Sequence, residues 1–515
     1  MRRAYQVAAV RSAERALMDL LPDGALMGRA AAGLAAVCGS LLASHPGHVY
    51  ATRVVILTGS GDNGGDALYA GARLARRGAA VTALLAAPTA HAGGVAALRA
   101  AGGRVTGDLS AAGDLIARAD LIIDGLLGIG GHGGLREPFA GLAAQTAHAA
   151  QARPREAIVV AVDLPSGIDA DTGAVDGPAV QADVTVTFGT IKPGLLIDPG
   201  AGYAGIVELV DIGLGPHLAG PPAALAAQRD DIGALLPRPG PESDKYRRGV
   251  VGVLAGSDRF AGAAVLATGG AVRGGAGMVR VVTAPVPAAV VRQTWPEAVL
   301  TVHPDQGDWD LASHVGRVQA WVAGPGMGTD PDAVARLAAI LRTDLPALVD
   351  ADGLTILSQH PDLLPRSAPT LITPHAGELG RLLGADPAAI EAGRLEYARR
   401  AAEQLGVTVL LKGSTTVVAS PGDPTVLVNP TGTPWLATAG TGDVLSGLAG
   451  ALLAQGLDPA WAGAAGAYLH GLAARLAAAG TRRPRRRAEQ DPAPEAPIGA
   501  FDVVTALPAA IRSVS

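Results

Sequence analysis

Twice along this chain an apolar segment runs into a glycine-rich turn, then into a longer helical pattern, and the cycle repeats. The first series reads RVVILTGS, AAVTALL, ADLIIDG, AIVVAVD, ADVTVTFG and GIVELVDIG; the second reads GVVGVLAGS, GMVRVVTA, AWVAGPGMG, ALVDADG, TLITPHAGE, VTVLLKGS and PTVLVNPTG. Continuous apolar strands alternating with helices fit a parallel sheet buried on both faces, so the expected class is α/β with two sheets. Val10 to Ser40 reads as one or two Ala-rich helices ahead of the first series, and a helix beginning near Gly442 closes the second. The Pro/Ala-rich stretch GPHLAGPPAALAAQRDD lacks alternation, which sets the expected domains at 1–222 and 223–515.

Composition narrows the chemistry. Aromatics are 3% and the net charge is −5, so neither base-stacking platforms nor a basic field for nucleic acid is available. The one cysteine, Cys38, has no internal partner and lies among apolar residues, as a small buried hydrophobe in a reducing cytoplasm would. Charges scattered through the N-terminus interrupt any signal core, and the apolar Ala/Gly runs read as closely packed helices rather than membrane spans. Thr481–Pro497 is charged and Pro-rich, the pattern of a disordered surface loop.

Only three lysines occur among 41 basic residues: Lys192, Lys245 and Lys412. Where arginine serves as the general cation, a retained lysine marks a place for a compact ammonium, or else a solvated loop. Strand ends supply the other candidates, because ligands of open parallel sheets gather at their carboxyl ends. In LTGSGDNGGDA the glycines satisfy GxGxxG, but no acid follows at the ribose-binding distance, and Asp62 and Asp66 would repel a pyrophosphate. Asp124 in IDGLLGIGG, and Asp163 and Ser166 in VDLPSGID, are oxygen donors suited to a hard cation together with Asn63, or they cap the following helices. In TAGTGDVLSG, Gly440 and Gly442 precede a helix start, and Asp443 sits where a carboxylate takes a proton from a hydroxyl during phosphoryl transfer. Lys412, Gly413, Ser414, Thr415 and Thr416 offer an ammonium and hydroxyls to nucleotide phosphate. In TPHAGE, His375 is read as a substrate contact or a structural histidine, and Glu378 as a helix cap.

GSGDNGGDA, DGLLGIGG, VDLPSGID and TFGTIKPG resemble the Rossmann-like NAD(P)HX epimerases over roughly residues 10–215. That resemblance implies interconversion of R and S hydrated NADH or NADPH. It implies substrate contact for Asp62, Asn63, Gly64, Gly65, Asp66, Gly128, Ile129, Gly130, Gly131, His132, Gly133, Gly134 and Asp163, proton transfer by Asp163, and potassium on Asn63, Asp124 and Ser166. Asp62 stands where the family usually has Asn, and Ala67 where it has Gly. SDKYRRG, LAGSDRFAGA, GPGMG, VDADGL, TPHAGE, LKGSTT and GTGD resemble the ribokinase-like NAD(P)H-hydrate dehydratases over roughly residues 230–515, with Gly353 in place of the usual Ala. Here the resemblance implies phosphorylation of the hydrate hydroxyl by ADP with Mg2+, then loss of phosphate to give NAD(P)H. Hydrate contacts then fall to Ala263, Gly326, His375 and Asp443, and nucleotide contacts to Lys412–Thr416 and Gly442, with Asp443 as the base. The joint expectation is a two-activity nicotinamide repair enzyme, cytoplasmic and homo-oligomeric, without nucleic-acid or membrane partners. A vitamin or sugar kinase fused to a nucleotide-binding domain, and a nucleotide-sensing module, are the rival readings.

Overall fold

A computed structural model describes residues 1–44, 47–131, 133–151, 157–303, 314–480 and 495–515; His132 and most of Thr481–Pro497 lie outside them. Contacts divide the chain into two units, Arg3–Ala224 and Leu225–Ser515, with Met1–Arg2 counted in the second.

The first unit holds a seven-stranded sheet in the order Arg104–Thr106, Ala80–Leu85, Arg53–Thr58, Leu121–Gly125, Ile158–Val162, Val184–Phe188, Ile206–Val210. Every pairing is parallel. Alternation across the pleat decides the layers. Val54 and Ile56 face one core with Leu34, Leu68 and Leu74, whereas Val55 and Leu57 face another with Ile116 and Leu142. Helices Ala25–Ser44 and Asp62–Arg76 contribute to the first core, and Ala112–Arg118 to the second, which makes three layers. The chain runs outward from Arg53–Thr58 and returns to that strand's other side at Leu121–Gly125, with Thr58 in register with Gly125. A crevice therefore opens beyond these two strand ends. The short strand Arg104–Thr106, too brief to show a pattern, was not anticipated. Ala25–Ser44 is long and apolar enough to cross a membrane. Ala30, Ala31, Leu34, Ala35, Cys38, Gly39 and Leu42 along it are nevertheless buried in the protein, and burial pushes the Cys38 thiol up to about 12.

In the second unit, strands Thr408–Leu411, Thr370–Ile372, Ala347–Val349, Ala320–Ala323, Val250–Leu254, Met278–Thr283 and Val299–Val302 follow one another in parallel. Beyond Thr408–Leu411 the sheet turns antiparallel through Thr416–Ala419 and Val426–Asn429. Thr416, expected among the nucleotide contacts, begins the first of these strands, because the four residues 412–415 suffice for a hairpin return from Leu411. Helix Thr441–Ala454 does not end the domain; Pro459–Ala479 and Ala500–Val514 follow and share its core. The sheet's direction of winding reverses between Val250–Leu254 and Ala320–Ala323, so this unit also opens a crevice at strand ends.

Glycine brings two helices of this unit together. A Cβ on Gly447 would lie 1.9 Å from the Ala267 carbonyl oxygen, and one on Gly270 would lie 2.2 Å from that of Val444. Helices Ala261–Arg273 and Thr441–Ala454 therefore touch backbone to backbone. Gly447→Ala is expected to destabilise this unit by ~1–3 kcal/mol through overpacking. Gly262→Ala, where a Cβ meets nothing within 4 Å, should leave stability level or slightly raised; denaturant midpoints of the two variants check this.

Candidate active sites at the two strand-end crevices

In the first unit, Asp163 follows strand Ile158–Val162 with φ at +64°, a left-handed conformation that costs a non-glycine residue of order 1–3 kcal/mol. The tertiary structure over-determines it. Its Oδ1 accepts from the Lys192 ammonium, from Thr187 Oγ1 at 3.0 Å and from the Phe188 amide at 3.1 Å. Lys192 is 1% exposed, and its Nζ also donates to Thr187 Oγ1 at 3.0 Å and the Phe188 carbonyl at 3.2 Å. One carboxylate oxygen is thus locked, while Asp163 itself lines a cavity of about 1130 Å³. Asp62, Asn63, Asp66 and Glu14 line the same cavity. Burial and the neighbouring Asp163, Asp62 and Glu14 charges raise the Asp66 carboxyl well above its usual range. Burial likewise raises Glu14, partly offset by the Lys192 charge.

Beneath the cavity floor, Asp124 is fully buried. Its Oδ1 accepts from Ser166 Oγ at 2.7 Å and its Oδ2 from the Ser166 amide at 2.8 Å. These partners are neutral, and burial pushes the carboxyl up to about 6. Asn63 lies alongside, its Oδ1 3.0 Å from where a Cβ on Gly128 would stand, and its Nδ2 is buried without a partner. The three residues expected to ligate a cation therefore meet around one turn.

The glycines of these motifs fall into two groups. Gly128, Ile129, Gly130 and Gly131 line the cavity, and the Arg11 guanidinium approaches Gly130. Gly64, Gly65, Gly133 and Gly134 do not. A Cβ on Gly64 would strike the Gly59 carbonyl at 2.5 Å, one on Gly65 would meet Met27 and His91, and one on Gly134 would strike the Asp176 carbonyl at 2.4 Å. These three are small so that the backbone can pack; Gly133, at φ +72°, serves its turn.

The second site assembles from four strand ends and three helices. Gly324, at φ +128°, would place a Cβ 1.8 Å from the Asp350 carbonyl oxygen, and Gly326, at φ +60°, would place one 2.8 Å from Cβ of Ala263. The GPGMG loop thus lies flat against both neighbours, which brings Ala263 and Gly326 side by side. Asp350, 1% exposed, is the hub. Its Oδ1 accepts from Lys412 Nζ at 2.8 Å and its Oδ2 from Ser446 Oγ at 2.7 Å. Glu378 Oε2 lies 3.6 Å from the same ammonium. Burial alone would lower the Lys412 ammonium, but these carboxylates outweigh it and hold the group above its ordinary value.

Asp443 lies in the first turn of Thr441–Ala454, after Gly440 at φ +88°. Burial, then the Asp350 charge, push its carboxyl up to about 7, against the opposing pull of Lys412. A Cβ on Gly442 would sit 3.5 Å from Lys412 Nζ, so the helix start and the LKGSTT loop face each other. Gly413 and Ser414 are exposed there, whereas Thr416 is buried. His375 caps helix Ala376–Leu383: its Nδ1 accepts from the Gly377 and Glu378 amides, while the Glu378 carboxylate accepts from the His375 amide at 2.8 Å. Its ring remains 56% exposed. Lys245, the third lysine, stands on an exposed loop against Tyr246.

The carboxylate Asp350 and the partner role of Lys192 went unassigned by sequence reasoning. The signal was present: Asp350 ends strand Ala347–Val349 as Asp163 ends Ile158–Val162, and Lys192 belonged to the scarce lysines.

A family model described as YjeF-related protein N-terminus matches residues 23–194, and one described as NAD(P)H-hydrate dehydratase matches 251–488. The bifunctional NAD(P)H-hydrate repair enzyme Nnr of Mycobacterium tuberculosis is 51% identical over 460 residues, covering 89% of this chain and 90% of its own. The chain belongs to the bifunctional NAD(P)H-hydrate repair enzymes. The Mycobacterium leprae relative is 49% identical over 93% of this chain and 95% of its own, and that of Escherichia coli K12 37% over 83% and 82%. A crystal structure of the ADP/ATP-dependent NAD(P)H-hydrate dehydratase from Bacillus subtilis, with ATP and Mg2+, is 28% identical, covering 56% of this chain and 98% of that one, with a TM-score of 0.46.

Replacing Lys192 by Met leaves Asp163 buried without its ammonium, and breaking such a pair costs roughly 3–5 kcal/mol. Chemical denaturation of Lys192→Met at neutral pH should show that loss in the first unit. An unchanged midpoint would contradict the pairing.

Proposed function

We propose that the first unit epimerises R- and S-NAD(P)HX and that the second dehydrates the S form to NAD(P)H at the expense of ADP, releasing AMP and phosphate. The observation that carries this reading is the pairing, in one chain, of an ammonium-locked carboxylate in a nucleotide-sized cavity with a raised carboxyl at a glycine-led helix start.

In the second unit Asp443 is the base. Its raised carboxyl matches proton transfer near neutral pH, where a general base works best. It takes the proton of the substrate hydroxyl, whose oxygen then bonds to the terminal phosphorus of ADP as the bridging P–O bond to AMP breaks. Phosphate next departs with the oxygen it gained, and loss of a ring proton restores the double bond of NAD(P)H. The amides of Thr441–Ala454 and the Lys412 ammonium stabilise charge on the phosphoryl group in flight. Ala263, Gly326 and His375 hold the hydrate; Lys412–Thr416 and Gly442 hold the nucleotide. Among the described residues no three His, Cys, Asp or Glu side chains converge on a metal position. Mg2+, commonly held by substrate phosphates and few protein carboxylates, would neutralise the charge on ADP.

In the first unit Asp163 transfers the proton needed for inversion, its Oδ1 held by Lys192 so that Oδ2 serves the substrate. Asn63, Asp124 and Ser166 fit potassium: Asp124 is buried among neutral partners, and a monovalent cation there would hold its carboxylate charged and fix the turn beneath the hydrate. Asp62 adds an acid beside Asp66 where the family has Asn. The substrates accordingly are NADHX or NADPHX and ADP, and a further copy of the chain is the proposed partner in a cytoplasmic assembly.

Incubation with racemic NADHX and ADP, followed by reduced-nicotinamide absorbance, should consume both epimers with one AMP formed per NADH; a vitamin kinase would restore no NADH, and a sensor would form no AMP. Asp443→Asn should abolish NADH recovery and leave epimer exchange intact, and Asp163→Asn should do the reverse. Because Asp443 must be ionised to accept a proton, dehydratase kcat/KM should fall as pH drops below about 7 and level off above it. A flat profile from pH 5.5 to 8, values of order one unit either side of neutrality, would remove Asp443 from the role of base.

A further inference from the structure

Arg394, the first residue of helix Arg394–Leu405, is 1% exposed yet carries a guanidinium. Its Nη2 donates to the carbonyl oxygens of Leu411 at 3.2 Å, Lys412 at 2.8 Å and Thr415 at 3.4 Å. Nη1 donates to Glu391, whose side chain is 57% exposed. The loop from Leu411 to Thr415 therefore curls around one planar cation. Gly413 completes the curl: a Cβ there would lie 2.1 Å from Arg394 Nη2. From its other side the loop is tied through Lys412 Nζ to Asp350, and through Asp350 to Ser446 on the helix that carries Asp443. Lys412 is thus gripped at its carbonyl by Arg394 and at its ammonium by Asp350.

We propose that Arg394 is a positioning residue for nucleotide binding, shaping the Lys412–Thr416 loop from beneath without touching the nucleotide. This deepens the function proposed above and rests on assigning that loop to ADP. The physical reason for arginine is its planar guanidinium, whose Nη2 faces the three loop carbonyls while Nη1 is held by Glu391, a division between two nitrogens that a single ammonium cannot make. Glu391, being exposed, contributes little beyond orientation. Without the guanidinium, the loop carbonyls lose their donors and the loop relaxes toward other conformations before ADP arrives, which weakens binding rather than chemistry.

The test uses the full chain with Arg394→Gln, Arg394→Lys and Glu391→Gln. For Arg394→Gln we expect KM for ADP to rise by about tenfold, equivalent to ~1.4 kcal/mol. The KM for hydrate, kcat at saturating ADP and the epimerase rate should each stay within about twofold. Arg394→Lys should recover part of the loss, and Glu391→Gln should show almost none. Amide hydrogen exchange at 413–416 should quicken in Arg394→Gln and in Arg394→Lys, and that measurement decides the matter if the glutamine variant does not fold. An unchanged KM for ADP with unchanged exchange in folded Arg394→Lys overturns the proposal; so does a proportionate loss of both KM and kcat terms for hydrate and ADP alike. Absence of any ADP requirement in the unsubstituted protein would instead overturn the assignment of the loop to ADP.

Discussion

The ammonium of Lys412, set between Asp350 and Glu378, is the contact on which the second site's organisation depends. Asp350 is fully enclosed, and an enclosed carboxylate without a cation would cost several kcal/mol or take up a proton. With Lys412 in place it accepts from Ser446 and joins burial in raising Asp443 toward neutrality. The first unit solves a related problem with Lys192, which is buried completely and holds Asp163 in a backbone conformation that only compensating contacts sustain. Each site thus spends one of the chain's three lysines on orienting a carboxylate.

Sheet winding decides where these groups meet, and glycine decides how closely. Both crevices open where the strand order reverses, so residues far apart in sequence reach one rim. Backbone then approaches backbone at Gly324 against Asp350 and at Gly447 against Ala267. The high glycine content is therefore a packing device in the helices as much as a ligand-binding device in the loops. Gly64, Gly65 and Gly134 illustrate the point, since a Cβ on each would meet neighbouring carbonyls or side chains.

Long parallel strands were readable because two-sided burial leaves continuous apolar runs. Arg104–Thr106 and Val299–Val302 were not, because these short strands lie at sheet edges and are only partly buried, nor was Thr416–Ala419, a short antiparallel return. Strand-end aspartates and the GTGD turn were readable for a different reason: their chemistry depends on local backbone shape. Arg394 gave no such signal. Its importance comes from a loop 17 residues later folding back over it, which no local pattern encodes. Lys192 fell between these cases: its rarity marked it, but its partner Asp163 lies 29 residues away, across a strand crossover.

The central claim is that Asp443, at the helix start, faces a phosphoryl group delivered by a nucleotide on the Lys412–Thr416 loop. A crystal structure of the chain with a non-hydrolysable ADP analogue and the S hydrate addresses it directly. The account predicts the terminal phosphate between the Gly440–Gly442 turn and Lys412, with the hydrate hydroxyl within hydrogen-bonding distance of Asp443. Nucleotide bound away from that helix start, or a hydroxyl turned from the carboxylate, would contradict it.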